Sequence, residues 1–173
     1  MNAPNVKTIA AAEAYANSRQ ISVAFQSPLG FGSDGMVWPT SRGSALKILY
    51  RNQNYSVERD CYLRLRDAGV QKVAHLAVPR LVDFDDVLLA IEIEIVQPPY
   101  LLDFGKVYLD DPPPYWDDVQ LMANFYEEKA PLFGRNWPRV LKAMASLRLH
   151  GIYYVDPRPQ NNDFGDEEDD SEL

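Results

Sequence analysis

The segment Gly30-Phe31-Gly32-Ser33-Asp34-Gly35-Met36-Val37 matches the pattern GxGxxGxV at every fixed position. Glycines so spaced let a backbone approach phosphate oxygens that a Cβ would hold away. The same letters also suit a plain Gly-rich β-turn. A dinucleotide-binding turn needs a helix after its glycines, whereas Met36-Val37-Trp38 followed by Pro39 reads as the second arm of a hairpin. Ten residues beyond Val37 stands Lys47, flanked by the apolar Ala45, Leu46, Ile48 and Leu49. An ammonium on that strand can reach under a glycine loop to two adjacent phosphates, although an isolated lysine is more often a surface residue. Glu58 follows eleven residues later in a run of helical texture. Its carboxylate can hold Lys47 in place and charged, or face solvent as most helical glutamates do. Finally, Asp156 and Asn161 stand five apart in D-x-x-P-x-N, after Leu147-Arg148-Leu149-His150-Gly151-Ile152. By residue type alone, that is also a Pro-rich turn in which Asp and Asn are turn formers.

These residues need elements to hold them. Residues 8–19 are good helix formers and make a short leading helix or a frayed lead. From Ile21 the texture is β-type: ISVAFQSPLGFG, then MVWPT, a turn at Ser41–Gly43, and SALKILY read as three consecutive antiparallel strands. Asn54 to Ala68 reads as a helix, with Val57, Cys61 and Leu65 at four-residue spacing and Gly69 placed to end it. VPRLVDFDD and VLLAIEIEIV read as two more strands. In the second, Ile91, Ile93 and Ile95 alternate with Glu92 and Glu94, which predicts one buried and one solvent face. QPPYLLDFG and DDPPPYW are Pro-rich breaks. Val119–Lys129 and Trp137–His150 read as helices, the latter with Val140, Met144 and Leu147 on one stripe and Pro138 in its first turn. Gly151 stops it. The expected architecture is α+β in two lobes: a lead at 1–20, a first lobe at 21–97, a second at 98–162 and an acidic tail at 163–173.

In chain order, and with the strand and helix texture between them, these motifs resemble the protein-kinase-like family of eukaryotic-type Ser/Thr kinases and kinase-like phosphotransferases. The resemblance spans roughly residues 21–165. It implies a five-stranded antiparallel N-lobe with one helix, followed by a short, mainly helical C-lobe. It implies ATP and Mg²⁺ as cofactors, with the γ-phosphate passing to a hydroxyl: a protein Ser/Thr most of all, or a small molecule. The hairpin residues Gly30, Phe31, Gly32, Ser33, Asp34, Gly35 and Val37, together with Ala45, would surround the nucleotide. Lys47 would hold its phosphates, with Glu58 bracing the lysine. Glu94 to Gln97, including Val96, would offer hinge backbone to adenine, an assignment open to a two-residue slip because Glu92 and Glu94 share one repeat. Asp156 would orient the acceptor hydroxyl and receive its proton, Arg158 would contact the transferred phosphate, and Asn161 would bind Mg²⁺.

The family pattern is broken in three places. Tyr154 and Val155 stand where a histidine and an arginine precede the catalytic Asp, so anchoring of a phosphorylated activation loop is not expected. Asp163-Phe164-Gly165 follows only two residues after Asn161, where a strand hairpin normally intervenes. Either Asp163 still chelates Mg²⁺ beside Asn161, or Asp163-Phe164 begins the strand after the loop and the metal-binding aspartate is absent. In the second case Glu167, Glu168, Asp169 or Asp170 could supply a carboxylate. The shortened lobe also admits a protein partner that completes it, an inactive pseudokinase that binds nucleotide or a partner, or an assembly protein that keeps the fold without a ligand.

Charge and composition bound the rest. The net charge of −8 comes from the tail: seven acids and no Lys or Arg lie in residues 163–173, leaving 18 acids against 17 bases before them. A nearly neutral body makes no electrostatic case for nucleic acid. Cys61 is the single cysteine, so neither a disulfide nor a thiolate metal cluster is expected. Two histidines exclude a His-based cluster; Tyr153, Tyr154, Trp116 and Trp137 read as packing for the second lobe. Without a signal-peptide pattern or a run of about 20 apolar residues, a cytoplasmic protein away from membranes is expected.

Overall fold

A computed structural model of the 173-residue chain describes residues 6–165. In chain order its elements are α1 (Val6–Arg19), β1 (Gly30–Phe31), β2 (Gly35–Pro39), β3 (Ser44–Leu49), α2 (Asn52–Asp67), β4 (Lys72–Val73), β5 (Leu76–Ala77), β6 (Leu81–Asp85), β7 (Ala90–Glu94), β8 (Tyr100–Leu101), β9 (Tyr108–Leu109), α3 (Val119–Phe133), α4 (Trp137–Arg148), β10 (Ile152–Tyr153) and β11 (Asn162–Asp163). The fold is mixed α+β, and its largest sheet is five-stranded and antiparallel in the order β1-β2-β3-β7-β6. The chain divides into two compact units. The first is Met1–Ala68 with Pro79–Ile95; the second is Gly69–Val78 with Val96–Leu173.

In the first unit the period-2 alternation of strands decides what each helix covers. Val37, Lys47 and Ile91 stand in one row across β2, β3 and β7; Trp38, Leu46 and Glu92 stand in the next, on the opposite face. Ala12 and Tyr15 of α1 pack with Met36, Trp38, Leu46, Ile48 and Ala90. The leading helix is therefore part of this core, and the other face, carrying Lys47, is met by α2. Arg19 ties the end of α1 to β6 through Asp83 (3.2 Å) and Asp85 (2.9 Å). Because α1 covers its face, Glu92 is 0% exposed, contrary to the solvent face expected from the Ile/Glu alternation. A buried carboxylate is tolerable only when hydrogen-bonded. Here Tyr15 donates its hydroxyl (2.8 Å), Arg42 its guanidinium (3.2 Å), and Thr40 and Ser44 their hydroxyls.

A second departure concerns the first expected strand. Residues 21–29 run irregularly apart from a single bridge between Val23 and Thr40, and only Gly30–Phe31 joins the sheet.

The second unit begins earlier in the chain than the expected boundary, taking Gly69–Val78 from the first lobe. The reason is pairing and burial. β4 pairs with β5, β5 runs parallel to β8, and β8 runs antiparallel to β11, while Val73, Leu76 and Val78 are buried. A separate antiparallel pair joins β9 to β10. The helices are α3, whose N-cap Asp118 accepts hydrogen bonds from the backbone N–H of Gln120 and Leu121, and α4, which carries Pro138 in its first turn and buries Val140, Ala143, Met144 and Leu147. Phe133 stacks on Trp137, with Phe164 edge-on to it. No helix among the described residues is long and apolar enough to cross a membrane.

Candidate functional site

In the first unit Lys47 sits in the middle of β3, and its Nζ donates to both carboxylate oxygens of Glu58, at 2.8 and 2.7 Å. The Glu58 side chain is 1% exposed and that of Lys47 12%. The alternative of a surface lysine and a solvated helical glutamate is thereby removed: α2 presents Glu58 inward beside Tyr55, Cys61, Tyr62 and Leu65. Moving two charges out of water is costly unless they are paired and further bonded, so the pair marks a place where the fold retains charge at a cost.

The glycine segment forms the hairpin of β1 and β2, with Gly30 opposite Val37 and Phe31 opposite Met36. Gly32 N–H donates to Gly35 O at 3.1 Å and closes the turn. Ser33 donates to Asp34, which in turn accepts from the Asn54 amide of α2 at 2.9 Å. The glycines are not equivalent. A Cβ on Gly35 would collide with the carbonyl oxygen of Ile48 and lie 3.2 Å from Leu49 Cα, whereas Gly30 and Gly32 have nothing within 4 Å of that position. Gly35 is thus required by the neighbouring strand, and Gly30 and Gly32 leave open space along the hairpin. Gly35→Ala is expected to destabilise the chain by about 1–3 kcal/mol. Gly32→Ala should stay within about 0.5 kcal/mol of wild type; urea titrations of the two variants measure both.

Of the expected adenine-binding stretch, Glu94 uses its N–H on Arg80 O at 3.0 Å and its carboxylate on the Arg80 guanidinium. Val96 lies beyond the end of β7 and is half-buried. Ala45 is buried two residues before Lys47.

The second unit holds the remaining candidates. Asp156 follows β10 and faces three cations: Arg158 at 2.6 Å, Lys129 at 3.1 Å and Lys106 at 3.7 Å. Burial pushes its pKa up, but hydrogen bonds from Arg158 and Lys129 outweigh it and hold the carboxyl below the usual carboxylate range. Arg158 therefore points at Asp156 itself. Asn161 closes a 3-10 turn at Pro159–Asn161 and donates its Nδ2–H to Asp103 Oδ2 at 2.9 Å. That leaves the amide oxygen as the donor atom suited to a hard cation. Asp163 lies in β11 opposite Tyr100, and its Oδ1 accepts from the Gly165 N–H at 2.8 Å. Phe164 is buried in the aromatic cluster and Asn162 beneath Tyr154, donating to its hydroxyl at 3.2 Å. Burial pushes the Tyr154 hydroxyl pKa well up, so this residue in the histidine position is neutral at physiological pH. Glu167, Glu168, Asp169 and Asp170 lie outside the described residues. No group of three or more His, Cys, Asp or Glu side chains suited to a metal occurs among the described residues.

Three residues at this site escaped sequence reasoning. Lys106 and Lys129 carry no local signal, being single lysines in a loop and in a helix. Asp103 carried one: Asp103-Phe104-Gly105 repeats the letters of Asp163-Phe164-Gly165. No family model matches the chain, and no curated protein matches it.

Proposed function

We infer that the protein is an ATP-dependent phosphotransferase of protein-kinase-like type, acting on a hydroxyl of a protein Ser/Thr or of a small molecule. The observation that carries this reading is the buried Lys47–Glu58 pair on the strand after a glycine hairpin. A cation fixed by a buried carboxylate is pre-organised for phosphate oxygens and adds little to stability by itself. The hairpin of Gly30, Gly32 and Gly35 lies along the phosphates, and the backbone of the Glu94–Gln97 stretch takes the adenine. In the transfer, the acceptor oxygen bonds to the γ-phosphorus, the bond to the ADP oxygen breaks, and the hydroxyl proton passes to Asp156. Arg158 swings from Asp156 to the transferred group, to which its guanidinium can donate twice. Mg²⁺, which when bound would neutralise phosphate charge, would be held by the amide oxygen of Asn161 and, two residues on, the carboxylate of Asp163, oxygen donors of the kind it prefers.

A second reading, a nucleotide- or partner-binding pseudokinase without transfer, is favoured by one feature. Both Asp156 oxygens are already engaged by cations. Two measurements decide. Millimolar Mg-ATP should raise the melting temperature, since a ligand of the native state stabilises it by about 2.7 kcal/mol at a hundredfold excess over Kd. Label from γ-³²P-ATP should then appear on an acceptor or on the chain. A thermal shift without transfer selects the pseudokinase; no thermal shift sinks both readings in favour of an assembly protein.

A further inference from the structure

Three cations from three parts of the second unit close on one carboxylate. Lys106 comes from the connection between β8 and β9, Lys129 from α3, and Arg158 from the connection between β10 and β11. The antiparallel pairing of β8 with β11 and of β9 with β10 sets the two connections side by side. Arg158 meets Asp156 Oδ2 at 2.6 Å and Lys129 meets Oδ1 at 3.1 Å. Lys106 stands 3.7 Å from Oδ2, drawn to it by charge but too far for a hydrogen bond to it. Two further acids adjoin. Glu128, 3.5 Å from Lys129, is 73% exposed and screened by water; Asp103 turns its carboxylate to the Asn161 amide at 2.9 Å and the Gly105 N–H at 3.4 Å. Together the two ammonium groups and the guanidinium carry more than twice the N–H donors that the roughly four acceptor positions of one carboxylate can take.

This arrangement conflicts with proton transfer to Asp156 for as long as the cations stay on it. Burial raises its pKa, but the hydrogen bonds from Arg158 and Lys129 outweigh that effect, and a carboxyl held below its usual range is a poor proton acceptor. Arg158 leaves for the transferred group; the two lysines need another anion to leave for. We propose that the acceptor brings that anion itself, as a phosphate monoester that seats between Lys106 and Lys129 and releases the Asp156 carboxylate to the acceptor's hydroxyl. The proposal rests on the phosphotransferase reading and narrows its acceptor to phosphorylated hydroxyl compounds. Both lysines reach one carboxylate, so one phosphate, with its three oxygens and its charge near −2, bridges them and outbids a single carboxylate for them. Their mobilities differ in a useful way. Lys129 is anchored in α3 with its side chain 13% exposed, whereas that of Lys106 is 39% exposed and can follow the ligand.

The test uses the full chain in saturating ADP, with inorganic phosphate as the probe and chloride at equal ionic strength as the control. Phosphate should raise the melting temperature of the wild type, and calorimetric titration should show Lys106→Met and Lys129→Met each weakening it by at least about tenfold, the loss of one charge-assisted hydrogen bond. Asp156→Asn should do the opposite and tighten phosphate by roughly tenfold, because the internal anion no longer competes for the same cations. No phosphate binding by the wild type, unchanged affinity in both lysine variants, or weaker binding in Asp156→Asn each overturns the proposal. The wild-type and Asp156→Asn measurements hold even if a lysine variant fails to fold. Two competitors then separate the carriers of the phosphate. Displacement by glycerol 3-phosphate but not glycerol indicates a small molecule; displacement by a phosphoserine peptide but not its unphosphorylated form indicates a protein; displacement by neither overturns the proposal. ADP binding read by thermal shift keeps the two levels of inference apart. If ADP binds and the lysine variants keep wild-type phosphate affinity, the acceptor assignment falls and the phosphotransferase reading stands. If phosphate binding depends on both lysines in a chain that binds no ADP, the anion seat stands and the phosphotransferase reading falls.

Discussion

Lys47→Met is expected to abolish phosphoryl transfer and to cost about 3–5 kcal/mol of stability, the range for removing one partner of a buried ion pair. Glu58 is the reason for the second effect. Its carboxylate is 1% exposed, and the ammonium that neutralises it lies 2.7 Å away. Take the ammonium away and the native state either keeps a buried charge or binds a proton to remove it. Both options raise its free energy relative to the unfolded chain, where Glu58 is hydrated. Replacing both partners at once, with Lys47→Met and Glu58→Leu, should recover most of the lost stability, because the desolvated charge goes too. Activity should not return. Urea denaturation and γ-³²P-ATP transfer on the single and double variants measure the two effects apart. A double variant that regained transfer would remove Lys47 from the phosphate-binding role.

Asp156→Asn is expected to lower transfer by roughly 10²- to 10⁴-fold, the contribution of a positioned proton acceptor, with little change in fold. The stability effect has a definite pH dependence. Asp156 is held below the usual carboxylate range because hydrogen bonds from Arg158 and Lys129 outweigh the opposing effect of burial. A depressed carboxyl contributes stability above its unfolded pKa and loses it as pH falls through the lower folded value. The melting temperatures of wild type and variant should therefore differ most at neutral pH and converge in acid, below the ordinary Asp range near about 3.9. Differential scanning calorimetry from neutral pH down to pH 3 reads this directly. A gap that widened in acid would mean that Asp156 is not the anion its three cations imply.

How much of this was legible in the sequence depends on the range of the interaction. The Lys47–Glu58 pair was readable because its parts are regular: a glycine hairpin, an apolar strand with one cation and a four-residue helical stripe. Helix α4 was readable for the same reason, with its stripe of Val140, Met144 and Leu147 and Pro138 in its first turn. Glu92 was not, because whether a strand's second face meets water depends on what covers it. Nothing in residues 8–19 announces that Ala12 and Tyr15 lie on that face. The strands of the second unit are two residues each, too short for any alternation, and the parallel contact of Ala77 with Tyr100 leaves no periodic trace. Asp103 lay inside a segment read as a Pro-rich break. Its place beside Asn161 comes from β8 and β9, whose partners are some 40 to 60 residues further along the chain. Local propensity decided the helices; pairing between distant short strands decided the second unit.

The allocation of Gly69–Val78 has a consequence for taking the molecule apart. The backbone passes between the units at three points, after Ala68, Val78 and Ile95. Neither unit is therefore a continuous stretch of polypeptide. Cutting the gene after Ile95 yields an upstream fragment that carries β4 and β5 without β8, the strand that β5 pairs with, and strands Val73, Leu76 and Val78 in water. The downstream fragment loses half of its four-stranded sheet. The two fragments should be poorly soluble when expressed singly and should rescue each other when expressed together, since each retains the missing edge of the other's sheet.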